Sequence, residues 1–149
     1  MKIIKYEPEY RDDLIFMVLE SKNALGKVPT LNADLLDIEG TYFSKGDMFW
    51  ICVDDDNRVI GSVGYSSVDN SDEVWLHRLF VKAQLKRKGI GTALLRTAEE
   101  DIIRRGKSAI HVHLGEPKEL WYESRFFYLK HGYEYTENED IPYLIKKIK

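Results

Sequence analysis

The stretch best equipped for chemistry runs Leu79-Phe80-Val81-Lys82-Ala83-Gln84-Leu85-Lys86-Arg87-Lys88-Gly89-Ile90-Gly91-Thr92-Ala93-Leu94-Leu95. An apolar segment ends at Val81, a short polar loop follows, and an amphipathic segment opens on Gly89 and Gly91. The unpaired N–H groups of a first helical turn, at the positive end of the helix dipole, form an anion site. Glycine lets the backbone come close to a phosphate. Lys86, Arg87 and Lys88 place three positive charges beside it, which suits a polyanion. A Gly-x-Gly is also what a tight turn with solvated basic residues looks like. The stretch is not a P-loop, because the Gly-Lys-Ser/Thr end is missing, and no third glycine arrives at the spacing of a dinucleotide fingerprint.

The elements that must position this loop are legible from periodicity. Lys2 to Tyr6 reads as a first strand, and Pro8 starts a helix carrying Leu14, Ile15, Val18 and Leu19. Ala24 to Thr30 is a loop. Asn32 is placed to cap a second helix with Leu35, Leu36 and Ile38 on its apolar side. Met48 to Val53, Arg58 to Ser67 and Glu73 to Val81 read as an antiparallel meander joined by polar turns. Gly61 and Gly64 inside the second of these predict a bulge or a close backbone approach. From Gly89 the period becomes helical, with Ile90, Leu94, Leu95, Ala98, Ile102 and Ile103 on one face and Gly106 as the stop. Ser108 to Leu114 is a strand, Glu119 to Lys130 a helix, and Tyr133 to Tyr135 and Tyr143 to Ile148 are closing strands. The strand–helix–strand unit from Glu73 to Leu114 requires a parallel crossover.

The chain has 149 residues, which suits a single domain, 1–149, with a substantial core. It is 44% hydrophobic and 32% charged, ordinary for a globular protein. A net charge of −3 gives no basic field for nucleic acid. The lone Cys52 sits in the apolar run Phe49-Trp50-Ile51-Cys52-Val53 and reads as a buried strand residue rather than a nucleophile. No apolar stretch is long enough to span a bilayer, and no signal segment precedes the first strand. A cytoplasmic protein without a membrane partner is the expectation.

The run Lys86-Arg87-Lys88-Gly89-Ile90-Gly91 resembles the acetyl-CoA signature of the GCN5-related N-acetyltransferase (GNAT) superfamily, with Lys86 in place of the usual Arg or Gln. A second match lies in Phe127-Tyr128-Leu129-Lys130-His131-Gly132-Tyr133, similar to that family's aromatic-Tyr-x-Lys-x-Gly-aromatic segment. The order of elements agrees over nearly the whole chain. Leu76-His77-Arg78-Leu79-Phe80-Val81, with Leu35 to Glu39 and Tyr42, resembles the branch of N-acetylaspartate synthase and the cysteine-conjugate acetyltransferases. Trp121 stands where the family often has an Asn, and Trp75 where some members carry a strand Glu.

The resemblance implies an α/β (α+β) fold: a mixed, mostly antiparallel sheet of six or seven strands with a splayed parallel pair, flanked by about four helices. It implies acetyl-CoA as cosubstrate, no metal, and transfer of an acetyl group to a primary amine of a small molecule. A protein or peptide acceptor, or a silent acyl-CoA-binding module, are the alternatives. Pantetheine would pair with Leu79, Phe80 and Val81. The pyrophosphate would sit on the loop formed by Lys86, Arg87, Lys88, Gly89, Ile90, Gly91 and Thr92. Tyr128 would serve the leaving thiolate. Alternation puts Glu73 and His77 on one strand face, and either could relay the amine's proton, His77 having the better-suited intrinsic pKa. Arg78 is a candidate for a substrate carboxylate, or else part of a structural salt bridge. His111 and His113 share a strand face but lack a third positioned ligand for a metal. Homodimers are common in the resembled family.

Overall fold

The computed structural model describes residues 1–26, 30–114, 122–136 and 143–148. Seven strands form one sheet in the order β1-β2-β3-β4-β5-β7-β6. They are β1 (Lys2–Lys5), β2 (Met48–Val53), β3 (Val59–Ser67), β4 (Glu73–Val81), β5 (Ala109–His113), β6 (Glu134–Tyr135) and β7 (Tyr143–Lys147). All neighbours are antiparallel except β4 and β5. The helices are α1 (Arg11–Ala24), α2 (Ile38–Thr41), α3 (Ile90–Arg104) and α4 (Tyr122–Lys130). The parallel pair is joined through α3, the long crossover that parallel neighbours require.

Each face of the sheet buries its own core. One joins α3 and Tyr128 of α4 to alternate residues of β2 through β7, including Val63, Val74, Leu76, Ile110, Val112 and Leu144. The other packs α1 and the segment around α2 on Phe49, Ile51, Val53 and Val59. α3 buries Ile90, Leu94, Leu95, Ala98 and Ile102 as its periodicity predicts, whereas Ile103 is 55% exposed. It lies about 100° around the helix from Ile102, on the edge of the apolar stripe.

The second helix departs from expectation. A 3₁₀ turn, Ala33–Leu36, and the four-residue α2 replace one continuous helix. Asp37 breaks the run: its backbone leaves the helical region and its carboxylate caps α2 by accepting from the Gly40 N–H at 3.0 Å. The Asn32 side chain caps nothing and accepts from Lys22 Nζ instead. Leu36, expected on an apolar side, is 47% exposed.

Two irregularities shape β4. Its register with β3 slips by one residue between Ser62↔Phe80 and Gly64↔His77, and Arg78 holds a left-handed φ of 55° at the slip. This is a bulge, which bends the strand and increases its twist. Pairing with β5 stops at Leu76↔Val112, while β4 continues to Val81. The pair therefore splays. The strand glycines mark close approaches: a Cβ on Gly64 would lie 2.4 Å from Cδ2 of the fully buried Phe49 and 3.2 Å from the Met48 carbonyl oxygen. Gly64→Ala is expected to cost about 1–3 kcal/mol by overpacking, a fall of about 2–10 °C in Tm for a chain of this size. Calorimetry of the purified variant checks it.

Candidate active site

The splay opens a cleft of about 920 Å³. Leu79, Phe80 and Val81 line one wall, and Lys86, Arg87, Gly89, Gly91 and Thr92 line the next. Phe127, Tyr128 and Lys130 of α4 close the far side, with Ser21, Lys22 and Leu25 of the α1 end opposite. The structure thus brings together most residues singled out in the sequence. Lys88 is exposed and Ile90 is buried in the core; neither side chain lines the cleft, so both can contribute only backbone.

Local geometry explains the loop. Arg87 and Gly89 both have left-handed backbones, with φ of 65° and 82°. The turn lets α3 start abruptly at Ile90, and the first intrahelical partner to form is Ala93 N–H to the Gly89 carbonyl. Among the described residues, the N–H groups from Arg87 to Thr92 have no backbone acceptor. That is the donor array an anion needs. A Cβ on Gly91 would sit 3.5 Å from the Phe127 ring and 3.6 Å from Val81, ordinary contacts. Lys86 is drawn to Glu123 at 3.2 Å, an exposed pair of small energetic weight.

Tyr128 is buried, and its hydroxyl has no hydrogen-bond partner among the described residues. Its ring packs edge-on against Phe127 and Tyr133, with centroids 5.3 and 5.2 Å away. Burial pushes its phenol well above the ordinary value, and the charge of Glu99 adds to the shift. Glu99 is itself buried, held by the Tyr133 hydroxyl at 2.9 Å and Lys146 Nζ at 3.0 Å. This group, absent from the sequence reading, backs the cleft wall.

His77 lines the cleft, and its Nε2 lies 2.7 Å from Ser66 Oγ. Burial, then the charge of Arg78, lowers its pKa, so the imidazole is neutral at pH 7. Glu73 does not reach the cleft. It lies six residues up the strand from Leu79, about 20 Å away at the rise of a β-strand, bonded to His111 Nε2 at 2.8 Å. Face alternation placed it correctly; distance along the strand separates it from the loop. Trp121 lies outside the described residues.

Arg78 is committed within the chain. Its Nε and Nη2 meet both carboxylate oxygens of Asp34 at 3.0 and 2.9 Å, and the Tyr42 hydroxyl donates to the same carboxylate at 2.7 Å. The guanidinium fork expected for a substrate carboxylate is thus filled by Asp34, in keeping with the salt-bridge alternative. Nothing local in the sequence links Asp34 or Tyr42 to Arg78.

No helix among the described residues is long and apolar enough to cross a membrane. Among them, no group of His, Cys, Asp and Glu is arranged to hold a metal.

Similar proteins are known both by sequence and by structure. The probable N-acetyltransferase camello of Xenopus tropicalis is 31% identical over 117 residues, which make up 77% of this chain and 52% of that protein. The chain thus spans about half the length of that curated relative. A GNAT-family acetyltransferase from Staphylococcus aureus Mu50 superposes with a TM-score of 0.87 at 22% identity, covering 99% of both chains. The PaiA N-acetyltransferase of Thermoplasma acidophilum, solved in complex with coenzyme A, gives a TM-score of 0.74 at 18% identity over 98% of both. These structural likenesses establish the fold. The acetyltransferase (GNAT) family itself matches residues 15–133, from within α1 to the turn after α4, and so takes in both walls of the cleft. Because that match covers most of the chain, this protein belongs to the acetyltransferase (GNAT) family.

Proposed function

We propose that this chain transfers the acetyl group of acetyl-CoA to a primary amine of a small molecule, by direct attack with both substrates bound. One observation carries the reading: β4 loses its β5 partner after Leu76, and the unpaired edge leads into the glycine-bearing start of α3 within one cleft. The edge from Leu79 to Val81 suits an amide-bearing pantetheine, which can pair with it as an added strand. The N–H groups from Arg87 to Thr92 suit the pyrophosphate. The coenzyme A bound by the Thermoplasma acidophilum structure supports this use of the fold.

The chemistry then falls to few groups. The amine nitrogen attacks the thioester carbonyl, the C–N bond forms and the C–S bond breaks. A backbone N–H near Leu79 stabilises the oxyanion. Neutral His77 accepts the ammonium proton, directly or through water. Tyr128 hydrogen-bonds the departing thiolate, which takes, through water, the proton that the attacking nitrogen sheds as the amide forms and so leaves as the thiol. The test is a thermal shift with acetyl-CoA followed by thiol release against a panel of amines. Stabilisation and turnover are expected; no shift with any acyl-CoA overturns the reading.

Gly91→Asp tests the loop. An acidic side chain in the first turn of α3 favours the helix, and the Cβ has room, so Tm should hold or rise slightly. Acetyl-CoA affinity should fall at least tenfold, about 1.4 kcal/mol, because the added carboxylate repels the polyanion. Titration calorimetry checks it; undiminished affinity would place the pyrophosphate elsewhere.

A further inference from the structure

The face of the sheet that carries His77 continues beyond the cleft as a shelf of rings. Val74 and Leu76 of β4, Ile110 and Val112 of β5, and Leu144 of β7 all point into the core against α3. Alternation therefore turns Trp75, His77, His111, His113, Tyr143 and Ile145 to the opposite face. Register places Trp75 beside His111 and His113 beside Tyr143. The Trp75 ring lies 5.1 Å from that of His111 and 5.7 Å from that of Tyr143, which in turn is 4.9 Å from His113. On this face the core beneath α1 takes its strand residues from β1 to β4 and none from β5 or β7. The rings are thus left half-buried or exposed, Tyr143 at 38%.

The shelf is continuous with the acetyl-transfer site. His77 and His113, at its near end, both line the cleft. Trp75 is two residues up β4 from His77, about 6–7 Å. The polar atoms along it have partners: His111 Nε2 is bonded to Glu73 at 2.8 Å, and His77 Nε2 lies against Ser66 Oγ. What the shelf offers a ligand is ring area, which favours stacking with another flat ring over binding a charge.

We infer that this shelf is the acceptor subsite, and that the acceptor is an amine carrying an aromatic ring a short aliphatic linker away. The ring rests on Trp75 and Tyr143 while the linker passes His113 and His77 to bring the nitrogen to the thioester end of the cleft. The inference rests on the acetyl-transfer reading above and adds the class of acceptor to it.

The test compares phenethylamine and phenylbutylamine with hexylamine as acceptors in wild type, Trp75→Ala, Tyr143→Ala and Trp75→Phe. The aromatic amines are expected to have about tenfold higher kcat/KM than hexylamine. Trp75→Ala and Tyr143→Ala should each raise their KM about two- to tenfold, the worth of one aromatic pair. The kcat and the acetyl-CoA thermal shift should stay at wild-type values, and Trp75→Phe should restore the preference. Equal use of aromatic and aliphatic amines, or a preference that survives both alanine variants, overturns the inference. Saturation-transfer NMR from protein to phenylbutylamine, without acetyl-CoA, decides the shelf separately. Transfer lost in Trp75→Ala supports it and transfer unchanged overturns it, even where a missing acetyl-CoA shift has removed the acetyl-transfer reading.

Discussion

Tyr128→Phe is expected to lower kcat about 10- to 100-fold while leaving the thermal shift produced by acetyl-CoA unchanged. The magnitude is that of one hydrogen bond to a charged acceptor, about 1.5–3 kcal/mol. The phenol is buried at the end of α4, has no described partner for its hydroxyl, and lines the same cleft as the Leu79 edge. Burial and Glu99 hold it protonated far into the alkaline range. A phenol pushed that way is a poor proton donor to a thiolate whose conjugate acid titrates near ~8.5. On the proposed reading, its contribution is a hydrogen bond that strengthens as charge builds on sulfur, absent in the ground state where the thioester sulfur is a weak acceptor. That predicts a loss in kcat rather than in cosubstrate binding. Because phenylalanine keeps the packing on Phe127 and Tyr133, Tm should change little. Unchanged turnover would remove Tyr128 from the chemistry, and a fall in binding alone would make it a packing residue.

How far the sequence anticipates this arrangement depends on the range over which each constraint acts. β2 and β4 have the bounds predicted for them, β2 as an almost wholly buried run and β4 as a half-buried strand set between the polar turn before Glu73 and the loop that opens at Lys82. The loop from Lys86 to Thr92 is legible for the same local reason: its glycines and charges are adjacent. The glycines of β3 announced a close approach, and Gly64 meets the Phe49 ring. What the sequence conceals is whatever depends on a distant partner. The segment after Asn32 has helical spacing, yet Asp37 and the pull of Asp34 toward Arg78 break it into turns. Period-2 alternation assigns Glu73 and His77 to one face but says nothing of where the cleft ends along the strand. The Glu99 group behind Tyr128 draws its three members from α3, the turn after α4, and β7.

Removing the carboxylate of Asp34 should destabilise the fold and slow the reaction together, and the acid limb of stability should identify the cause. Asp34 is mostly buried and receives both prongs of Arg78 and the Tyr42 hydroxyl. Arg78 sits on the bulge with a left-handed backbone, a conformation unfavourable for a side chain that only a surrounding network maintains. Asp34→Ala leaves that guanidinium half-buried without its partner. The expected loss is about 2 kcal/mol, between the values for exposed and fully buried pairs. The bulge sets the angle at which Leu79 to Val81, still paired with β3, diverge from β5, so kcat should fall as well, and Arg78→Ala in the Asp34→Ala background should add little. The sign with pH is fixed. Burial alone would raise the Asp34 pKa, but Arg78 and Tyr42 outweigh it and hold it below the usual carboxylate range. A depressed folded pKa stabilises above the unfolded value, about 3.9, and that contribution is lost as pH falls through the folded value. Wild type should therefore lose stability below about pH 4. Asp13, held low by Arg58, titrates in the same window. The difference between wild type and Asp34→Asn isolates the Asp34 share: it should be largest near neutrality and shrink below about pH 4. Denaturant titrations across that range check it. A difference that does not change with pH would mean that the carboxylate's charge contributes nothing and that Arg78 is held by packing alone.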